Sequence, residues 1–330
     1  MTKDPRAGRV HFRLRSRWRA DEVLFWVLIS SCYFVLPDRL PLITQMLISG
    51  LFALSLDLLL GYAGIASLGH AAFFGIGAYA AGLLAQNGWT EPISGLFIAT
   101  SISAMAAFVF GWGATLLSGV ALLMGTLVAG LLIYEIANRL SWITGGDNGL
   151  QGMVIDPILG VFEFDLFGRV AFVYTLVIVF GCYLLIRQVV YSPFGLALEA
   201  MRDNSRRLPS IGFSVRYRSL LAFTLSGTFA GAAGALLAQT SQFVSLEVLS
   251  VDRSLAGLIM LILGGTGRLT GGLIGALLFL GARDVLSTIN PVYWNFWLGL
   301  ILVVVVLLGA GGLTTIFGRL AGAITAKIAK

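Results

Sequence analysis

The chain has 330 residues, of which 58% are hydrophobic and only 12% are charged, and its mean hydropathy is +0.91. A soluble domain usually carries about 25% charged residues, so water cannot be the main solvent of this chain. The net charge is +6, but all three lysines, Lys3, Lys327 and Lys330, lie at the ends, which excludes a phosphate-binding GxxxxGK[ST] loop and ATP hydrolysis by this chain alone.

The first 22 residues form a basic segment in front of the first apolar run. Its arginines are Arg6, Arg9, Arg13, Arg15, Arg17 and Arg19. A basic segment beside a hydrophobic helix favours binding to membrane lipid on the cytoplasmic side over binding to nucleic acid. No small-residue cleavage site ends the apolar run, so we expect an uncleaved first span. Residues 1–22 are predicted to be a cytoplasmic tail.

Hydropathy divides the rest of the chain into ten apolar segments. In chain order they are Val23–Leu36, Leu42–Leu60, Ala63–Leu84, Ile93–Phe110, Ala114–Ala137, Val170–Ile186, Leu220–Ala238, Leu255–Leu263, Gly271–Leu286 and Phe296–Gly309. A helix needs about 20 apolar residues to cross a membrane, so we predict an all-α polytopic bundle of eight to ten transmembrane helices over residues 23–309. One segment is too short to cross alone, and we expect short or broken elements near Gly61–Gly69 and Leu255–Gly267.

Positive charge is distributed unevenly between the two sides of this topology. Ten crossings place both termini and residues 188–219 on one side, and that side carries most of the basic residues. The other side receives residues 141–169, which are acidic. Asp38, Arg39 and Arg253 weaken the pattern without reversing it. We therefore predict cytoplasmic termini, with a tail over residues 310–330, and an external loop over residues 141–169.

Few side chains in this sequence are suited to covalent chemistry or metal binding. Cys32 and Cys182 fall in apolar runs, and with only His11 and His70 beside them they offer no metal-ligand spacing and no disulfide framework. A membrane-embedded enzyme would need a cluster of His, Asp or Glu, which the sequence lacks. The chain is predicted not to be an enzyme.

Two ionisable residues lie inside or beside apolar segments. Asp57 has three possible roles: a structural one, exposure at the membrane interface, or a place along a solute route. His70 either bonds a backbone carbonyl exposed by the glycine-rich bend or acts in gating or protonation, since imidazole titrates near neutral pH.

Glycines are frequent inside the apolar segments. Forty-one are present, and the pairs Gly227–Gly231 and Gly271–Gly275 have the four-residue spacing that lets helix backbones approach closely. The alternative is a conduit whose walls slide or unwind.

Residues 188–219 are predicted to form an ordered segment rather than a flexible linker. After Pro193, the apolar residues Ala197, Leu198 and Met201 recur at helical spacing among charged residues, which predicts an amphipathic helix that Pro209 and Gly212 can end. Such a helix either packs against a partner protein or lies on the lipid surface.

Four blocks of residues together resemble one family. They are Gly61-Tyr-Ala-Gly-Ile-Ala-Ser-Leu-Gly-His70-Ala-Ala-Phe-Phe-Gly-Ile-Gly-Ala-Tyr79, Thr144-Gly-Gly-Asp-Asn-Gly149-Leu-Gln, Ser192-Pro-Phe-Gly-Leu-Ala-Leu-Glu199-Ala-Met-Arg-Asp-Asn204 and the weaker Gly264-Gly-Thr-Gly-Arg-Leu-Thr-Gly-Gly272. In this order, over residues 50–285, they resemble the M-type permease subunit of branched-chain amino-acid ABC importers, which take up hydrophobic amino acids.

The resemblance implies a function and a set of partners. The expected partners are a second, H-type permease subunit, two ATP-binding-cassette subunits that hold ATP and Mg²⁺, and a periplasmic solute-binding protein. The chain itself would need no cofactor and would lie in the bacterial inner membrane. Relatives of this family also carry urea, short amides or aromatic carboxylates, so these solutes remain alternatives. An ion-coupled secondary transporter is a remote alternative.

The resemblance also assigns residues to roles. Coupling to the ATPase falls on Leu198, Glu199, Arg202, Asp203, Asn204, Arg206 and Gly212. The translocation path or gate falls on Asp57, Gly61, Gly64, Ser67, His70 and Gly75. Contact with the binding protein falls on Thr144, Gly145, Gly146, Asp147 and Asn148, and the alternative is a simple turn that caps the following segment.

Two positions depart from the family's pattern. The usual glycine three residues after an EAA triplet is missing after Glu199, which puts Gly212 in doubt as its equivalent. The family usually carries asparagine at the position of Asp57, so a carboxylate has replaced an amide.

Overall fold

A computed structural model describes residues 18, 20–158, 160–165, 167–205 and 207–308. Most of the predicted N-terminal tail, the tail 310–330 and Arg206 lie outside these described residues.

The described chain is built from helices. Those of eight residues or more are α1 Ala20–Val35, α2 Leu40–Asp57, α3 Ala71–Gln86, α4 Pro92–Ala114, α5 Gly119–Arg139, α6 Arg169–Val190, α7 Pro193–Asn204, α8 Val215–Ser241, α9 Val251–Gly264, α10 Gly271–Ile289 and α11 Trp294–Leu308. Shorter turns lie at Pro37–Arg39, Leu58–Tyr62, Ser141–Thr144, Gly146–Asn148, Pro209–Ile211 and Leu246–Leu249, and the second of these is a π-turn that continues α2.

Each of the ten predicted apolar segments contains a helix, which confirms the all-α fold class. Six helices of the described chain are long and apolar enough to cross a membrane: Pro37–Tyr62, Pro92–Ala114, Gly119–Arg139, Arg169–Val190, Val215–Ser241 and Gly271–Ile289. The remaining four, α1, α3, α9 and α11, have 14 to 16 residues.

Two predicted boundaries are wrong. The predicted segment Ala63–Leu84 is not helical over residues 63–70, because Gly64 has a φ of +71° and the chain there packs across α5. The amphipathic helix ends at Asn204, before Pro209 and Gly212, which belong to a separate turn.

Contacts between helix ends define two ends of the bundle. α2 begins near the start of α6, where Pro41 lies against Gly168, and it leads to α7, where Arg202 bonds the carbonyl of Gly61. α8 begins after α7 and ends where the amide of Gln239 donates to the carbonyl of Pro92. We call the end that carries α7 the α7 end and the opposite one the far end.

Helices α3 and α9 begin inside the bundle rather than at either end. The N–H of Ala71, the first residue of α3, donates to Oγ of Ser254 in the first turn of α9, at 2.9 Å. The neighbouring His70 reaches Ser226, which lies 11 residues into α8 and hence roughly 16 Å from its start. From this meeting point α3 runs to the far end and α9 to the α7 end. The predicted short or broken elements are thus two half-helices whose N-termini meet.

Glycines bring the central helices into backbone contact. A Cβ on Gly231 would collide with Ser103, and one on Gly275 would collide with the carbonyl of Met260. The close packing predicted from the spacing of the glycines is therefore present between α8 and α4 and between α10 and α9.

Candidate translocation and coupling site

The end of α2 is held to the turn between α9 and α10. Asp57 is fully buried, and its Oδ1 accepts the backbone N–H of Gly267 at 2.8 Å. A Cβ on Gly61 would overlap Oδ1 of Asp57 and lie 2.5 Å from the nitrogen of Gly267. Glycine at position 61 therefore leaves the space in which the carboxylate meets its donor.

Helix α7 is attached to the same place. Nη1 of Arg202 donates to the carbonyl of Gly61 at 2.5 Å. Gly64 lies under the same side chain, since a Cβ there would be 2.9 Å from Cγ of Arg202. Arg202 also stands 3.6 Å from the carboxylate of Asp203. The end of α2, helix α7 and the α9–α10 turn therefore converge on Gly61.

One face of α7 packs on the bundle and the other is free. Leu198 and Met201 are buried, Glu199 is half-buried, and Asp203 and Asn204 are exposed. The hydroxyl of Ser192 accepts N–H groups of the first turn and so caps the helix. Gly212, with φ of +78°, lies exposed beyond the helix. The predicted amphipathic helix is present, with a polar surface that other described parts of the chain do not cover.

A cavity of about 680 Å³ lies at the α7 end, beside this junction. Its walls come from the non-helical residues 63–66, the turn between α4 and α5, α7 and the start of α8. Arg202 and Arg216 are the charged residues among its lining. The cavity therefore joins the surface of α7 to the segment that interrupts the α2–α3 pair.

His70 stands at the inner end of the non-helical segment and is fully buried. Its Nε2 lies 2.9 Å from Oγ of Ser55 and 3.4 Å from Oγ of Ser226. The Ser55 hydroxyl donates to the carbonyl of Phe52, and the Ser226 hydroxyl donates to the carbonyl of Ser55. Because both hydroxyl protons are used, Nε2 must carry the proton that goes to Ser55. The partner is thus a hydroxyl rather than the expected backbone carbonyl.

The rest of the non-helical segment is held by α5. The N–H of Leu68 donates to Oγ1 of Thr126 at 3.1 Å, and Gly69 packs against the backbone of Thr126 and Gly130. Ser67 is buried, and its hydroxyl has no hydrogen-bond partner among the described residues. In α3, Gly75 packs against Leu249, in the turn before α9. The residues predicted for a path or gate therefore follow one another from the end of α2 into α3. Asp57 and Gly61 lie at the end of α2 and in its π-turn, and Gly64, Ser67 and His70 lie in the non-helical segment. Gly75 lies in α3.

The predicted binding-protein contact is a tight turn at the far end. Gly145 and Gly146 have φ values of +76° and +55°, which favour glycine. Oγ1 of Thr144 donates to the carbonyl of Ala137 at 2.7 Å and fixes the turn to α5. Asp147 and Asn148 are exposed on its surface.

Comparison with known proteins decides the family. The sequence matches the family described as "Branched-chain amino acid transport system / permease component" over residues 39–326. This chain belongs to that family. It is therefore a membrane permease subunit with several spans, and not an enzyme.

Three relatives of this permease illustrate the similarity. The LivM permease of the high-affinity branched-chain amino acid transport system of Escherichia coli K12 is 29% identical over 307 residues, covering 85% of this chain and 71% of the relative. The LivM protein of Salmonella typhimurium is 28% identical over 316 residues, covering 88% and 73%. The autoinducer 2 import permease LsrC of an Enterobacter species is 32% identical over 266 residues, covering 76% and 70%. No solved structure matches significantly.

Sequence reasoning missed the hydroxyl and amide partners of the permease's path residues. Ser55, Thr126, Ser226, Ser254 and Gly267 come from four helices and a turn, at sequence distances of 15 to 210 residues from their partners. Small polar residues in apolar helices are a signal that such bonds exist, but the spacing does not say to which partner.

Proposed function

We propose that this permease forms half of the translocation path of an ATP-driven importer for branched-chain or other hydrophobic amino acids. The single observation that carries the proposal is the attachment of α7. This amphipathic helix has an exposed polar face, and its Arg202 donates a hydrogen bond to the carbonyl of Gly61, at the break between α2 and α3. A partner that moves α7 thereby moves the wall of the cavity beside it. The LivM relatives support the solute class.

The energy and the solute come from other chains in this proposal. Two ATP-binding-cassette subunits, which hold ATP and Mg²⁺, dock on the exposed face of α7, where Asp203 and Asn204 lie. A second, H-type permease completes the path, and a periplasmic binding protein docks on the turn 144–148. The permease lies in the bacterial inner membrane with the α7 end and both termini in the cytoplasm. The family's description as one component of a transport system supports such partners.

The mechanism is alternating access. ATP binding and hydrolysis change the separation of the α7 helices of the two permeases, and α7 carries Gly61 and Gly64 with it. Because Gly61 and Asp57 also contact Gly267, the turn before α10 follows the same movement. The passage then opens first to the far end and afterwards to the α7 end.

A different solute on the same subunit type is the second candidate. The 32% identity to an autoinducer 2 import permease favours a small polar solute instead of an amino acid. Urea, short amides and aromatic carboxylates belong with this candidate.

Transport in proteoliposomes tests the proposal. The permease is reconstituted with and without its H-type, ATPase and binding-protein partners, ATP is supplied on the ATPase side, and uptake of labelled leucine, benzoate, urea and autoinducer 2 is followed. We expect leucine uptake that requires every partner and ATP. Uptake by this chain alone, driven by an ion gradient, would contradict the importer, and uptake of another solute would move the assignment to the second candidate.

A further inference from the structure

An arginine lies deep in the bundle, where the two half-helices meet. Arg253 belongs to the first turn of α9, and its guanidinium lies 4.8 Å from the centre of the Phe74 ring in α3. Eleven residues separate it from the end of α9, which places its Cα roughly 16 Å from the α7 end. A hydrocarbon core is about 30 Å thick, so Arg253 lies near half depth.

Residue 253 is half-buried, and its guanidinium forms no hydrogen bond or ion pair with any other described residue. Two other arginines of the described chain do have a carboxylate partner. Arg187 pairs with Glu22 at 3.1 Å, and Arg39 pairs with Asp284 at 3.0 Å. An arginine at half depth is costly in contact with lipid and is found facing an aqueous cavity or a partner. The side chain must therefore face the passage or the second permease.

The surroundings of Arg253 favour a negative ligand. Both α3 and α9 begin here, so the positive ends of two helix dipoles point to the same place. Arg283 of α10 lies within electrostatic range and adds positive charge, while the exposed Glu247 lies within the same range and supplies one carboxylate. His70, in front of the first residue of α3, is fully buried and keeps its Nδ1 without a hydrogen-bond partner.

We propose that Arg253 binds the carboxylate of the transported solute midway through the passage. This inference rests on the proposed importer function and names the chemical group that the path recognises. A guanidinium binds a carboxylate through two parallel hydrogen bonds, and the Phe74 ring under it holds its plane. Glu247, within electrostatic range of Arg253, supplies a carboxylate for the ammonium group of an amino acid. A transported solute binds only transiently, which explains why Arg253 forms no ion pair with another described residue.

The first experiment uses the complete transporter in proteoliposomes and compares three variants. Arg253→Gln removes the charge, Arg253→Lys keeps it, and Arg139→Gln is the matched control, because Arg139 pairs with Glu135 on the same helix at the far end. We expect Arg253→Gln to lower the initial rate of leucine uptake at least tenfold, Arg253→Lys to retain part of it and Arg139→Gln to leave it unchanged. Stimulation of ATP hydrolysis by the loaded binding protein should persist in all three, since α7 is untouched.

Two results overturn the inference. Uptake at the wild-type rate in Arg253→Gln shows that no carboxylate is bound there. Loss of ATPase stimulation and of complex assembly together with uptake shows that Arg253 pairs with a carboxylate of the second permease. The solute panel separates this inference from the proposed function. If the wild-type transporter imports benzoate but not leucine, only the assignment of an amino acid as the solute is refuted. If it imports only urea or another uncharged solute, the carboxylate-binding role of Arg253 is refuted.

A second experiment does not depend on transport. In a chain with Cys32 and Cys182 replaced by alanine, Ala256→Cys, a partly exposed position one helical turn from the retained Arg253 in α9, is treated in the assembled complex with a charged, water-soluble methanethiosulfonate. We expect labelling, because the position faces the aqueous passage, and at least threefold slower labelling in saturating leucine and loaded binding protein. Absence of labelling places the residue away from the passage, and labelling that leucine does not slow shows that the solute does not bind there. Either result overturns the inference even if no uptake is measured.

Discussion

At the scale of single residues, the junction at Gly61 depends on the absence of a side chain. The carboxylate of Asp57, the amide of Gly267 and the guanidinium of Arg202 approach this one residue from three elements. Protein interiors are close-packed, and an added methyl group forces its neighbours to move. The resemblance assigned Gly61 to the path, but contacts from positions 202 and 267 could not be derived from local spacing.

Replacement of Gly61 by alanine should destabilise the permease. The new Cβ would overlap the carboxylate of Asp57 and approach the nitrogen of Gly267, and overpacking of this kind usually costs about 1–3 kcal/mol. Thermal unfolding of the purified permease in detergent measures the effect as a lower midpoint. The matched control is Gly113→Ala in α4, where a Cβ would meet nothing within 4 Å. Equal midpoints for both variants would show that the junction is not packed as described.

Asp57 should tolerate an amide better than a methyl group. Asparagine keeps an oxygen that accepts the Gly267 N–H, whereas alanine leaves that buried donor without a partner, at a cost of about 1–3 kcal/mol. We expect Asp57→Asn to retain both stability and leucine uptake and Asp57→Ala to lose both. A stable, fully assembled Asp57→Asn transporter without uptake would assign the charge itself to transport.

At the scale of elements, helix α7 is in contact with the start of the non-helical residues 63–70, and we expect the two segments to move together. Hydropathy and helical spacing predicted α7 well, because its buried residues Leu198 and Met201 recur at helical intervals. Residues 63–70 were predicted as the start of a longer apolar segment, with a short or broken element expected near Gly61–Gly69, but the contacts that break the helix were not predicted. Apart from Ser67 and His70 these residues are apolar or glycine. It is the fit against Thr126 and Gly130 of α5, together with Gly64, that stops them from being helical.

Removing the hydrogen bond between Arg202 of α7 and the carbonyl of Gly61 should uncouple ATP hydrolysis from transport. Arg202→Ala abolishes the hydrogen bond to the carbonyl of Gly61 and leaves the apolar face of α7 in place. We expect ATPase subunits to remain bound while leucine imported per ATP hydrolysed falls about tenfold, as a loss of roughly 1.4 kcal/mol of coupling would give. Arg207→Ala, an exposed arginine beyond the helix, serves as the control.

Two other outcomes would contradict this account of α7. An unchanged ratio of uptake to hydrolysis in Arg202→Ala would show that the bond to Gly61 does not transmit movement. Loss of the ATPase subunits from the complex would show that Arg202 belongs to the docking surface instead.

At the scale of the whole molecule, the number and order of the helices followed from hydropathy, but the depth of their ends did not. α3 and α9 have apolar compositions like those of the spans. They begin inside the bundle because the N–H of Ala71 finds the hydroxyl of Ser254, a contact across 183 residues. A backbone donor within a membrane must be satisfied by protein, so such half-helices need a partner that a single segment cannot reveal.

The orientation of the bundle is the property of the whole molecule that remains a prediction, and the charge distribution allows a direct test. Basic residues concentrate at the α7 end, which places that end in the cytoplasm, and the exposed turn with Asn148 lies at the far end. In a chain without Cys32 and Cys182, we expect Asn148→Cys to react with a membrane-impermeant maleimide added outside spheroplasts and Asn204→Cys to react only after lysis. The chain is expressed without its partner subunits, so that nothing docks on either position. Both substitutions then fall on exposed residues of equal type, and a difference in reactivity reports the side of the membrane. The opposite pattern would put α7 outside the cell, away from ATP, and with it the proposal that an ATPase acts on this helix would fail.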